Sequence, residues 1–181
     1  MFRLYSLSLA ATHEDAEPVT PLELTPEIRS VTGGNTEFAF DLYNELKDRD
    51  GNLFFSPYSI SSALGMTFAG ARGQTEVEMG STLHFNLPQN QFHPAMGTLV
   101  NYLNGEGGDR GYALAVANRI WPRVGLSLLT PFQDIVKADY RADVISLNYG
   151  ETEKARRTIN RWVEDKTNDK IKDLIKANKG K

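Results

Sequence analysis

Three histidines and no cysteine leave this chain few groups for metal or nucleophilic chemistry. Thiolate metal sites, disulfides and cysteine nucleophiles are excluded outright. His84 and His93 with Glu76 or Glu78 make one candidate metal set. Their spacing matches no ligand pattern on a single helix, and His93 precedes Pro94 in what reads as a loop, so no metal is expected. A Ser-His-Asp triad needs no closeness in sequence, which leaves an α+β hydrolase open, but no G-x-S-x-G elbow is present. "GARGQT" at 70–75 has the glycines of a phosphate loop. It lacks the Gly-Lys-Ser/Thr ending and follows a helix rather than a strand, so it reads as a turn between helices. The terminal "KDLIKANKGK" reads as a solvated basic face. No cofactor is implied.

The 181 residues suffice for one sizeable domain, and 40% hydrophobic with 24% charged residues is an ordinary globular balance. Residues 152–181 carry ten Lys/Arg against five Asp/Glu, whereas residues 1–151 carry ten against eighteen. An acidic body of this kind argues against nucleic acid as a partner. The start, "MFRLYSLSLAA", has one Arg and a short apolar stretch broken by Ser6 and Ser8. It reads as a disordered start rather than a cleaved signal. Residues 12–30 then read as a linker, with Pro18, Pro21 and Pro26 among acidic residues. The expected organisation is a disordered or extended segment at 1–30 and a domain part at 31–181.

The elements that must position any site centre on "NLFFSPYSISSALGMTFAGARGQTEVEM" at 52–79. From Leu53 to Ala71 it holds nineteen uncharged residues. Ser56 is a natural N-cap and Pro57 suits the first turn. The helix that follows is about 15 residues, roughly 22 Å against the roughly 30 Å of a bilayer core, so it reads as enclosed by protein rather than by lipid. Its small residues let other backbones come close, and its serines require partners inside the protein. Around it, Asn35 can cap a helix carrying Phe38, Leu42 and Leu46, and Thr75-x-x-Glu78 is a capping box. "QFHPAMGTLVNYLN" at 91–104 contains another helix, and Thr130-Pro131 opens one to about Ala138. Residues 112–121 and 142–148 read as strands, and Thr152 caps a helix with Ala155, Ile159, Trp162 and Val163 on one face. Helices mixed with antiparallel-compatible strands suggest α+β.

The same residues carry a resemblance. Residues 52–79 resemble the signature of the serpins, the serine protease inhibitor family, through Asn52, Phe55, Ser56, Pro57, Ser59, Ile60, Leu64, Gly70, Ala71, Gly73, Thr75 and Glu78. "LHFNLP" at 83–88, "ANRIWPRVGLSLLTPF" at 117–132 and "ARRTINRWVEDKTNDKI" at 155–171 continue it in order and spacing.

The resemblance implies an α+β, serpin-like fold with several helices packed around part of a large central β-sheet, of which this chain would be the N-terminal half. The helix at 57–69 would lie behind that sheet, with Asn52, Ser56, Pro57, Ser59, Leu64, Gly70 and Thr75 as the motif of its opening region. The helix from 152 would cross the sheet's front, with Ile159, Trp162 and Val163 facing the strands. The implied function is inhibition of a target serine or cysteine protease by insertion of a cleaved reactive-centre loop into the sheet, not enzymatic catalysis. The residues of that loop would be absent from this chain, so the fragment would be inactive alone. The alternative is a non-inhibitory relative acting as a binding or structural module. No membrane partner is expected, and the absence of Lys and Arg from 91–104 argues against heparin binding there. An extracellular location is implied by the family, with a cytoplasmic one left open by the weak leader.

Overall fold

The computed structural model describes residues 21–105 and 116–177. Among the described residues, six helices and two strands follow in the order α1 (Pro26–Leu46), α2 (Pro57–Phe68), α3 (Gln74–Leu83), α4 (Gln89–Leu103), β1 (Arg119–Ile120), α5 (Thr130–Tyr140), β2 (Asp143–Val144) and α6 (Thr152–Lys166). The fold is α+β, with helices around a small sheet.

Helix α1 begins nine residues ahead of the expected cap at Asn35. Thr25 caps it by accepting from the Ile28 amide, and Pro26 occupies the first turn, where its missing N–H costs nothing. Residues 26–30 are therefore helix rather than linker. Ile28, Val31, Gly34 and Phe38 form its buried stripe. Gly33 and Gly34 lie within this helix, where each costs about 1 kcal/mol against alanine. Gly34 is kept because it lies against the backbone of His84, where a methyl group would collide with the carbonyl oxygen.

The capping box does not form. Gly73, with φ +61°, is the N-cap of α3, which places Thr75 inside the first turn. Gln74 instead donates to Glu78 across one turn. Pro94 lies inside α4, not at its edge, so His93 is helical and buried rather than in a loop. Pro94 itself faces solvent, the side on which a missing hydrogen bond is easily replaced by water. Helix α5 runs to Tyr140, two residues past the expected end, with Leu129 rather than Thr130 at its N-cap. Glu151, not Thr152, is the N-cap of α6, and the Thr152 hydroxyl bonds back to the Tyr149 carbonyl.

The two strands pair in parallel, Arg119 opposite Asp143 and Ile120 opposite Val144, with a further bridge from Arg123 to Leu147. The antiparallel-compatible reading is thus corrected. Helix α5 supplies the crossover that parallel neighbours require. Both strands are shorter than expected, and residues 112–115 of the first lie outside the described residues.

The core sits where α1, α2, α4 and α5 meet. Phe38, Met66, Phe68, Phe92, Met96, Val136 and Tyr140 belong to it. The Phe68 ring meets Phe85 and Phe92 edge-on at 5.2 and 5.6 Å. Edge contacts of this kind add to the burial term.

The two neighbouring glycines of α1 yield opposite expectations. Gly34→Ala overpacks the α1–α3 contact and is expected to cost roughly 1–3 kcal/mol. Gly33→Ala meets nothing within 4 Å and is expected to stabilise the helix by roughly 0.5–1 kcal/mol. Urea unfolding of the two variants, each made in the full product of the gene encoding these residues, checks the pair. Equal effects would show that close approach does not constrain α1.

Candidate functional site

Helix α2 is set in place from its first turn. Ser56 has extended backbone, and its hydroxyl accepts from the Ser59 amide at 3.3 Å and from the Ser59 hydroxyl at 3.0 Å. Both serines are exposed, as is Asn52, while Pro57 is half-buried. The enclosed hydroxyls belong to Ser61 and Ser62 two and three residues on, at 1% and 0% exposure. Ser62 Oγ accepts from Asn118 Nδ2 at 3.1 Å, which ties α2 to the residue that leads into β1. Ser61 Oγ is buried with no partner among the described residues.

The remaining residues singled out in the sequence are spread rather than gathered. Leu64 packs against the core, half-buried. Gly70 lies exposed over the Phe132 ring, and Thr75 is exposed on α3. On α6, Val163 is buried and Ile159 and Trp162 are half-buried. Trp162 meets Trp121 edge-on at 6.0 Å. The Arg119 guanidinium lies 5.2 Å from the Trp121 ring centre and 5.0 Å from that of Trp162. It also pairs with Asp143 at 2.6 Å across the strand pair. One cation thereby ties β1, β2 and α6 together, and the aromatic faces shield it from competing water.

Sequence reasoning missed three polar ties. The Arg119 cluster is one. Asn160 is the second: buried on the apolar face of α6, it donates to the Ile175 carbonyl and accepts from the Ile175 amide, both at 2.9 Å. The side-chain amide stands in for a strand partner and holds the returning chain on α6. The third is His93 on α4, whose Nδ1 lies 2.7 Å from the Tyr140 hydroxyl. Burial, with Arg72 nearby, lowers His93 to about 4. Burial raises Tyr140 well beyond an ordinary phenol and Tyr58 to about 12. A polar residue amid an apolar helical stripe was the available signal for Asn160 and His93.

The expected chemistry of the histidines is altered by this placement. His84 is held between Glu37 and Asp41 at 3.0 and 2.7 Å, away from Glu76 and Glu78. Among the described residues no group of three or more His, Asp or Glu forms a metal site, and neither histidine's hydrogen bonds reach a serine. "GARGQT" is the turn from α2 to α3, with Arg72 donating to the Ala69 carbonyl and to Gln89. No described helix is long and apolar enough to cross a membrane.

The buried and exposed serines separate in their expected effects. Ser62→Ala leaves Asn118 Nδ2 short of its acceptor and is expected to cost roughly 1–3 kcal/mol. Ser56→Ala removes a solvent-exposed cap and is expected to cost about 1 kcal/mol, without promoting self-association. Thermal unfolding and sedimentation of the two variants, each made in the full product of the gene encoding these residues, check this. A larger loss for Ser56→Ala, with polymers, would place the sensitive hydroxyl at the cap instead.

Comparison with known proteins bears on the whole chain. A family model described as serpin (serine protease inhibitor) matches residues 33–180. Human leukocyte elastase inhibitor is 36% identical over 151 residues, covering 82% of this chain and 39% of the inhibitor. Human thyroxine-binding globulin superposes with a TM-score of 0.73 at 30% identity, covering 83% of this chain and 41% of the globulin. Cleaved kallistatin complexed with heparin has a TM-score of 0.73 at 27% identity, covering 82% of this chain and 44% of kallistatin. The chain thus spans about two fifths of the length of the relatives it matches. With the family model running from α1 through the segment after α6, and the helices and strand pair superposing on solved members, this chain belongs to the serpin family.

Proposed function

We propose that residues 31–181, with the helix that starts at Pro26, are the N-terminal part of a single serpin domain that inhibits serine or cysteine endopeptidases. The observation that carries the reading is the Ser62–Asn118 bond between α2 and the entry to β1. A sheet that opens to accept a loop needs hydroxyls behind it that exchange partners at little net cost. Ser61, enclosed and without a partner, adds a second hydroxyl on the same helix turn. The similarity to leukocyte elastase inhibitor supports a protease as the target. In this reading the whole domain, of which this chain is a part, binds and traps an enzyme and is not one itself. Asn52, Ser56, Pro57, Ser59, Leu64, Gly70 and Thr75 support the opening region, and Ile159, Trp162 and Val163 hold α6 on the strands.

A second reading has a specific observation behind it. Thyroxine-binding globulin, named for a small ligand, superposes as well as kallistatin does. A non-inhibitory binding module on the same scaffold is therefore the alternative.

Surface features bear on what residues 1–181 do by themselves. Phe54 is 98% exposed, with Leu53 beside it, and Leu126 and Leu129 are exposed between β1 and α5. Among the described residues the sheet has only the β1–β2 pair. Free strand edges beside apolar surface favour association with further chain. Residues 1–181 expressed alone are expected to inhibit no serine protease and to sediment as heterogeneous species without a sharp thermal transition. The full product of the gene encoding these residues is expected to form a stable covalent complex with its target. A monomeric, cooperatively unfolding 181-residue chain, with no inhibition by the full product, would favour the binding module.

Heparin binding is the remaining expectation. Kallistatin was crystallised with heparin. Here residues 91–104 contain no Lys or Arg, and Phe92, His93, Ala95, Met96, Leu99 and Val100 are turned inward. We expect no specific heparin retention through α4. Salt-sensitive retention on immobilised heparin that survives deletion of residues 165–181 would contradict this.

A further inference from the structure

His93 and Tyr140 stand apart from the reading above, and the inference drawn from them does not depend on it. Both are 1% exposed. The pair links α4 to the last residue of α5. Its third side is α2: a Cβ at Gly65 would come within 2.8 Å of the Tyr140 hydroxyl, so the hydroxyl is seated directly on the α2 backbone. Gly97 lets α5 approach α4 just as closely, with the Asp139 Cα only 3.0 Å from where a Cβ would stand. The Phe92 and Phe68 rings lie 5.3 and 5.9 Å from the imidazole. His93 Nε2 is buried with no partner among the described residues.

The proton positions follow from the orphan groups. If the phenol donates to Nδ1, the imidazole hydrogen sits on Nε2, and only that one N–H is unsatisfied. The other tautomer leaves both the phenol hydrogen and the Nε2 lone pair unmatched. The first arrangement is the less costly one. A second proton on the ring breaks it. Nδ1 becomes a donor, the phenol must turn its hydrogen away, and Nε2–H still finds no acceptor. The charge then sits among phenylalanine rings, with Arg72 repelling it.

We propose that the His93–Tyr140 contact is an acid-operated joint, in which protonation of His93 releases the end of α5 from α2 and α4. The groups that face the pair do not rescue it. Tyr58, from α2, is a neutral phenol held protonated by burial. Asp139, beside Tyr140 on α5, is the carboxylate whose charge bears on Tyr140, and burial raises it, so acid removes that counter-charge early. The released element matters because β2 begins at Asp143, three residues after the joint. Loosening α5 frees the crossover between the two strands.

The sign of the pH dependence is fixed by the direction of the His93 shift. Its folded value lies below the ordinary 6.5, at about 4. Stability is therefore full above about pH 6.5 and is lost as pH falls toward the folded value. Hydrogen-exchange mass spectrometry of the full product of the gene encoding these residues, corrected for intrinsic rates, tests this at about pH 7 and about pH 4.5, where linkage gives a fall in α5 protection on the order of tenfold to a hundredfold. His84→Gln is expected to show the same fall as the wild type. His93→Gln, which does not titrate in this range, is expected to keep α5 protection within about threefold. An equal fall in His93→Gln, or an unchanged α5 in the wild type, would overturn the proposal. Should His93→Gln fail to fold, the wild-type imidazole resonance decides by NMR. A His93 midpoint at the ordinary value, or one that does not track the loss of α5 protection, would overturn it equally.

Discussion

A helix with no charge on any side has to be enclosed, and enclosing α2 organises much of the rest of this chain. Ser61, Ser62, Gly65, Met66 and Phe68 are all buried, on more than one face of a helix of three turns. Helix α1 covers it on one side and α4 and α5 on others, and the turn after Phe68 closes on Arg72. Apolar burial supplies the driving force, at roughly 25 cal/mol for each Å² removed from water. Small residues set the distances. Gly65 admits Tyr140, Gly97 admits Asp139 and Gly34 admits the His84 carbonyl, so three helix contacts each rest on the absence of a side chain.

Enclosure brings polar groups indoors, and several of them are answered by a specific partner. Ser62 takes Asn118, His93 takes Tyr140, and Asn160 takes both backbone groups of Ile175. Arg119 is shared between Asp143 and two indole rings. These ties fix which strand meets which helix, a matter on which apolar contacts are indifferent. They are also the points at which the packing can be rearranged, because a buried hydrogen bond is modest while made and costly when left open. In the inhibitor reading that property lies behind the sheet, at Ser62. In the acid joint it lies at the end of α5.

Much of this was legible in the residues. Ser56-Pro57 marked the start of α2, and the run without charge marked its burial. The four blocks of family resemblance carried the fold. What was not legible had physical causes. Gly33-Gly34 and Pro26 look like loop residues until a neighbour requires close approach and a helix needs a first-turn proline. Pro94 hid a buried histidine, because proline is tolerated six residues into α4 only where its side faces solvent. The capping box at Thr75 lost to the positive φ of Gly73, which starts the helix two residues earlier. Parallel pairing of β1 with β2 leaves no mark in such short strands. At the site itself, the serines nearest the cap were the visible ones, whereas burial selected the next turn, Ser61 and Ser62.

The claim that α2 is the enclosed post of the fold is tested most directly by native-state hydrogen exchange as a function of denaturant. In the full product of the gene encoding these residues, the account predicts that the amides of Gly65, Met66 and Phe68 exchange only through global unfolding, at the same free energy as those of Met96 and Val100 in α4. Amides of α3, whose only buried residue is Leu83, are expected to open earlier. Exchange of the α2 amides by a lower-energy local opening, with α3 still protected, would contradict it.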